Sequence, residues 1–252
     1  MGRKLNSAEI KKQLDEVNSG GGGGTDYWKP VEGSKSAIRL VCPEDGNPFR
    51  RFFFHYKIGK AGSFLCPKKN FGEACAVCDL VAELFRGSEE DREVAKDIMA
   101  KERTFSPVVD RADAQPKIKI WGYGKNARKD LLNFADNPEY GDALVDEEAG
   151  LDLDIDYDRP HPKAYPVTTI SPRRKETSLL SDVSAEDLEA FLATVPDIDD
   201  IMLKQRRTSE QVEEFLAEHL NVEDGEGGGE TAKFGGKDEP SNVGEAFAAI
   251  EG

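Results

Sequence analysis

The stretch "HYKIGKAGSFLCPKKNFGEACAVC", residues 55–78, gathers one histidine and three cysteines from a chain that has only three His and four Cys. The spacing is H-x10-C-x8-C-x2-C, which names His55, Cys66, Cys75 and Cys78. Structural zinc sites take four ligands in a tetrahedron, commonly three Cys and one His. Cys75 and Cys78 offer two thiolates from one tight turn. "FGEACAVC" then runs into a helical pattern, whose N-terminus favours thiolate charge. His55 at a strand end and Cys66 after a Gly-containing turn can close the set. The reading is one structural Zn2+ on these four residues, with Cys42, ahead of the turn in "VCPEDG", as the alternative fourth ligand in place of His55. Four protein ligands leave no open position, so such a metal stabilises and does not catalyse. A Cys-x2-Cys redox pair needs a βαβ context that this stretch lacks. A zinc deaminase needs H-x-E and P-C-x-x-C, but His55 is followed by Tyr56 and Lys57, and Cys75 is preceded by Ala74.

The apolar fraction is 38% and the charged fraction 33%, which fits a folded core carrying disordered ends. No window approaches 18 consecutive apolar residues, and the start "MGRKLNSAEIKKQLDEVN" has no apolar signal-peptide core. An intracellular chain keeps its thiols reduced, so clustered cysteines point to metal chemistry before disulfides. The net charge of −15 is unevenly spread. Residues 1–180 hold 29 Lys+Arg against 30 Asp+Glu, whereas residues 181–252 hold 5 against 19. The body is near neutral and the end is an acidic interaction segment.

Leu5, Ile10, Leu14 and Val17 recur near helical spacing over residues 1–18, after which "SGGGGGT" reads as a flexible tether. Residues 1–24 are therefore a basic N-terminal arm with its tether. In the body, residues 25–180, the segments "SAIRLV", "FRRFFFHYKI", "TFSPVVD", "KIKIWGYG", "LDLDIDYD" and "AYPVTTISP" read as strands. Leu151, Leu153, Ile155 and Tyr157 alternate with Asp152, Asp154, Asp156 and Asp158, four carboxylates that read as a solvated strand face. "DLVAELFRGSEEDREVAKDIMAKE" and "NARKDLLNFADNP" read as helices. The fold class is mainly β with α elements, an α+β chain with an OB-fold-like barrel. A zinc-binding subdomain is inserted at about residues 52–104. Residues 181–220 read as two helices, with Ser184 and Asp187 as a capping box and Pro196 between them. Residues 221–252, rich in Gly and Glu, read as a disordered acidic tail.

Basic and aromatic residues interleave through the strands. "FRRFFFHYKIGK" supplies Arg50, Arg51, Tyr56, Lys57 and Lys60, and "KIKIWGYGKNARK" supplies Lys117, Lys119, Trp121, Tyr123, Lys125 and Arg128. "DYDRPHPKAYP" adds Tyr157, Arg159, Lys163 and Tyr165; "SPRRKE" adds Arg173 and Arg174; Arg39, Lys68 and Lys69 complete the candidates. Cations that track phosphates and rings that stack on unpaired bases are the mixture that binds single strands.

These features together resemble the single-stranded DNA-binding (helix-destabilising) proteins of T-even-like bacteriophages and their marine phage relatives. "MGRKLNSAEIKKQL" looks like that family's basic arm, and "DYWKP…SAIRLVCP" like the opening of its DNA-binding core. His55, Cys66, Cys75 and Cys78 look like its zinc subdomain, with "CAVC" where the family often has Cys-Pro-x-Cys, and the acidic end looks like its partner-binding tail. The resemblance implies a non-catalytic protein that coats and protects single-stranded DNA during phage replication, recombination and repair, in the cytoplasm of the infected host cell. It also implies self-association on DNA through Arg3, Lys4 and Ser7, and recruitment of replication and recombination proteins by the tail. The family's use of His favours His55 over Cys42. The alternatives are a zinc-dependent nuclease and a zinc-containing transcription or protein-interaction adaptor. A tethered acidic segment competes with DNA for cationic surface at high effective concentration. Removing residues 225–252 is therefore expected to tighten binding to a single-stranded oligonucleotide; equal or weaker affinity in a titration counts against that competition.

Overall fold

The computed structural model describes residues 26–162 and 164–223. The predicted arm with Arg3, Lys4 and Ser7, the tail from residue 224, and Lys163 lie outside the described residues. The strands are β1 (Tyr27–Trp28), β2 (Ser34–Leu40), β3 (Arg50–Tyr56), β4 (Ser63–Leu65), β5 (Lys101–Asp110), β6 (Ile118–Tyr123), β7 (Gly150–Asp158) and β8 (Val167–Thr177). The helices are α1 (Pro67–Phe71), α2 (Ala76–Leu84), α3 (Glu89–Ile98), α4 (Lys125–Asp136), α5 (Ala185–Leu192), α6 (Ile198–Leu203) and α7 (Ser209–Glu223). The fold is mixed α+β with a mostly antiparallel sheet, and it divides into two units.

The first unit joins the chain up to Arg50 with Thr104–Ile198. Its strands lie in the order β1-β6-β5-β2-β7-β8. β1 runs parallel to β6; β6–β5, β5–β2, β2–β7 and β7–β8 are antiparallel. The period-two pattern of β7 sorts its residues as the sequence predicts: Leu151, Leu153 and Ile155 are buried, while Asp154 is half-exposed and Asp156 and Asp158 exposed. Leu153 and Ile155 join Ile38, Leu40, Val108, Trp121, Tyr123 and Ile170 in one core, covered by Ala127 and Leu131 of α4. A second cluster, Val41, Val109 and Leu179, packs against Leu188, Phe191 and Leu192 of α5. α5 starts at the predicted capping box, where the Asp187 amide donates to Ser184 Oγ at 3.1 Å.

Asp152 departs from the solvated face expected of it. It is buried and shared by two arginines: Arg39 Nε donates to its Oδ1 at 3.0 Å and Arg111 Nε to the same oxygen at 2.8 Å. Arg39 is fully buried, so it is no contact for DNA, contrary to the sequence expectation. Its other nitrogens donate to the carbonyls of Asp146 at 3.0 Å, Gly150 at 2.6 Å and Thr177 at 2.9 Å. Gly150 makes room for this: a Cβ there would sit 2.3 Å from Arg39 Nη1 and 2.1 Å from the Asp146 carbonyl. Arg111 also holds the chain leaving β8, donating to the carbonyls of Leu179 and Ser178 at 2.6 and 2.9 Å.

The second unit joins Arg51–Arg103 to the chain from Asp199. β3 and β4 form a hairpin, with His55 opposite Phe64. The helical pattern predicted after Cys78 is broken in two at Gly87–Ser88. Ser88 caps α3, its amide donating to Asp91 Oδ2 at 2.8 Å and its Oγ accepting from the Asp91 amide at 3.2 Å. The core here is Ile58, Phe64, Val77, Leu80, Leu84, Ala95 and Ile98, closed by Val212 and Leu216 of α7. Where two helices are expected over residues 181–220 the structure has three, the segment after Pro196 being divided into α6 and α7; α5 covers the sheet, and α7, which runs to Glu223, completes the second unit. No helix among the described residues is long and apolar enough to cross a membrane.

Asp152→Ala leaves two arginines, one of them fully buried, without their shared counter-charge. The expected loss of stability is about 3–5 kcal/mol, read by urea unfolding; a loss under about 1 kcal/mol contradicts the role given to this cluster.

Candidate metal centre and nucleic-acid interface

His55, Cys66, Cys75 and Cys78 place one ligand atom each within 4.8 Å of one another. Three local structures deliver them. His55 is the penultimate residue of β3. Cys66 follows β4 and caps α1, accepting from the Lys69 amide at 3.4 Å. Cys75 caps α2, which puts Cys78 in the first turn of that helix, where the N-terminal dipole favours thiolate.

Cys66 Sγ lies 3.4 Å from Cys78 Sγ, and His55 Nε2 lies 3.5 Å from both Cys75 and Cys78 Sγ. A tetrahedron with metal–sulfur bonds of ~2.3 Å and a metal–nitrogen bond of ~2.0 Å has edges of about 3.5–3.8 Å. The group fits a tetrahedral ion. His55 Nδ1 donates to the Ile98 carbonyl at 2.9 Å, which leaves the Nε2 lone pair facing the sulfurs. Cys42 is not in this group; it is half-buried, and burial, Asp45 and Glu147 all push its thiol up. The alternative with Cys42 as fourth ligand is therefore corrected in favour of His55.

The four groups also perturb one another's protonation. Burial disfavours the His55 imidazolium, but Cys66, Cys75 and the Ile98 carbonyl hold its pKa up at about 9. Hydrogen bonds from Cys75 and Cys78 hold the Cys66 thiol well down, while Cys66 and Cys75 hold the Cys78 thiol well up.

The nucleic-acid candidates are scattered over both units. In the first, Trp121 and Tyr123 are core: Trp121 stacks edge-on against Trp28 at 5.5 Å, and the Tyr123 hydroxyl bonds Ser106 Oγ at 2.7 Å inside the protein. Neither can stack on a base, which corrects their assignment as contacts. Lys117 pairs with Asp26 at 2.6 Å and Lys119 with Asp113 at 2.8 Å; Arg50 pairs with Asp45 and Arg159 with Glu32; Arg173 pairs with Asp154 at 2.8 Å. Lys125 and Arg174 are exposed, and Arg128 and Tyr157 half-buried. Tyr165 is 90% exposed. In the second unit, Tyr56 is half-buried beside Phe54, Lys57 is exposed, and Lys68 pairs with Asp79 at 2.7 Å. Arg51 and Lys69 are exposed beside the ring of Phe53. The side chain of Lys60 lies outside the described residues.

One ring that the sequence reading omits lies on the sheet face opposite Trp121. Phe105 of β5 faces Gly122 of β6 and covers it, so that a Cβ on Gly122 would come within 2.9 Å of the ring. The signal for it was the parity of β6: Gly122 is the position between two large rings. Comparison with known protein families and with curated proteins finds no match to this chain.

Purified protein is expected to carry one metal ion per chain by elemental analysis, and Cys75→Ser to lose it and melt the second unit. Cys42→Ser is expected to keep full metal content. Protons compete with a metal ion for the thiols and the imidazole, so metal content and the stability it adds are expected to fall together as pH falls. Full metal content in Cys75→Ser contradicts the assignment.

Proposed function

We propose that this is a non-catalytic single-stranded DNA-binding protein whose sheet unit is an OB-fold-like barrel and whose second unit is braced by one structural zinc ion. The strand connectivity supports it. β2, β5 and β6 form an antiparallel meander, α4 crosses over, and the β7–β8 hairpin returns to β2. A five-stranded Greek-key barrel of this kind binds oligonucleotides on the face of its second and third strands and on the loops after its first and fourth.

The observation that carries the reading is Tyr165. It is 90% exposed and sits in the loop between β7 and β8, the counterpart of the loop after the fourth strand. A tyrosine ring left in water is the group that unpaired bases stack on. Arg174 and Lys175, exposed on β8, add cations for phosphates. Coating of exposed strands in replication, recombination and repair, and partner recruitment by the acidic end, are the roles this chemistry serves.

Zinc is the metal because three thiolates and one imidazole suit it, and a closed four-ligand site gives it a bracing role. A nuclease needs an open metal position and a general base beside it, and the four ligands here leave no such position.

Both tryptophans are buried, so intrinsic Trp fluorescence is a poor reporter of stacking. Anisotropy of a dye-labelled oligothymidylate is the suitable measurement. Affinity is expected to fall steeply with salt as counterions are released. Tyr165→Ala is expected to lose about 1–3 kcal/mol of binding. No binding by the metal-loaded protein in dilute buffer overturns the proposal.

A further inference from the structure

We propose that the metal unit carries its own phosphodiester clamp, formed by Arg51 and Lys69 around the ring of Phe53. The inference rests on the single-strand reading above and adds a contact of its own. Arg51 and Phe53 are two residues apart on β3 and share one face of it. Lys69 comes from α1. The Arg51 guanidinium carbon lies 5.4 Å from the Phe53 ring centroid, and the Lys69 ammonium 5.2 Å.

The charge balance around the ring points to an anion. The adjacent Lys68 is paired with Asp79. Arg51 and Lys69 are exposed and have no carboxylate partner among the described residues. Two cations drawn to one ring repel each other, and the ring attracts each only weakly at an exposed site. An anion bound to both relieves the repulsion. A phosphodiester suits the pair: the guanidinium can take two of its oxygens, and the ammonium acts as a point charge.

The clamp is held in shape by the metal site's own framework. The Phe53 amide donates to Asn70 Oδ1 at 3.0 Å, and Asn70 Nδ2 donates to the carbonyls of Phe53 at 2.7 Å and Cys66 at 2.9 Å. The Cys66 amide donates to the Phe53 carbonyl at 2.9 Å. Asn70 thus ties β3 to the turn that presents a metal ligand. Phe53 packs against the unit's core on one side and holds the two cations on the other, which makes it a positioning residue.

The test uses the full-length, metal-loaded protein with a labelled oligothymidylate over a range of salt. Arg51→Gln and Lys69→Gln each remove one phosphate contact. The slope of log affinity against log salt is expected to become shallower by about 0.7 per variant. Affinity at low salt falls several-fold, and metal content stays at the wild-type level. Lys68→Gln, whose lysine is already paired, is expected to keep the wild-type slope. Phe53→Leu keeps both charges but releases them, so affinity falls several-fold with the metal retained. Wild-type slopes in both Arg51→Gln and Lys69→Gln overturn the clamp, as does an equal loss of slope in Lys68→Gln. Failure of the wild-type protein itself to bind overturns the single-strand reading instead, so the two failures are distinguishable.

Discussion

Three thiols and one imidazole crowded within 4.8 Å set the terms for the second unit. With a cation, the same crowding becomes a tetrahedral anchor that fixes β3, the turn before α1 and the first turn of α2 against one another. Such a unit is small, and small units gain much of their folding free energy from a structural metal. The surrounding apolar core is consistent with this division of labour. Cys66 and Cys75 are themselves members of it, so the ligands are buried among Phe64, Val77 and Leu80 and not displayed on a surface.

The first unit solves the same problem with protein charges alone. Asp152 balances Arg39, and Arg111 binds both Asp152 and the chain leaving β8. Removing one partner from such a cluster is costly, yet a well-packed apolar replacement of the whole cluster is often neutral. Its value here is register. The guanidinium of Arg39 reaches the carbonyls of Gly150 and Thr177, the two residues that face each other at the end of β7–β8, and so pins the irregular end of that hairpin to β2.

Much of this was legible from spacing. The grouping of His55, Cys66, Cys75 and Cys78 was readable because metal chemistry restricts both residue type and separation. The β7 alternation and the Ser184–Asp187 cap were readable because both are local rules. What the sequence hid was which side of a strand is covered. Lys119, Trp121 and Tyr123 share a parity and look the same whether that parity meets solvent or α4. The structure buries it, with Trp121 against Trp28 and Tyr123 against Ser106. Arg39 was hidden for the same reason, since its partner is 113 residues away. The break at Gly87–Ser88 was readable in principle from the Ser-x-x-Asp signature. The seating of α7 on the metal unit, through Val212 and Leu216, was not.

That seating changes what the C-terminal region is. A helix flanking a disordered tail would be a spacer, and its amphipathic pattern would need no particular host. α7 instead supplies two fully buried side chains to the core that holds the metal ligands, and its neighbourhood is stitched in by polar contacts. Ser209 Oγ donates to the Ala74 carbonyl at 3.0 Å, one residue before a ligand, and the Leu65 amide donates to the Gln205 carbonyl at 3.1 Å, one residue before another. The loops that present Cys66 and Cys75 are therefore held by a chain segment more than 100 residues downstream. α7 and the residues around Cys66 and Cys75 share one apolar core.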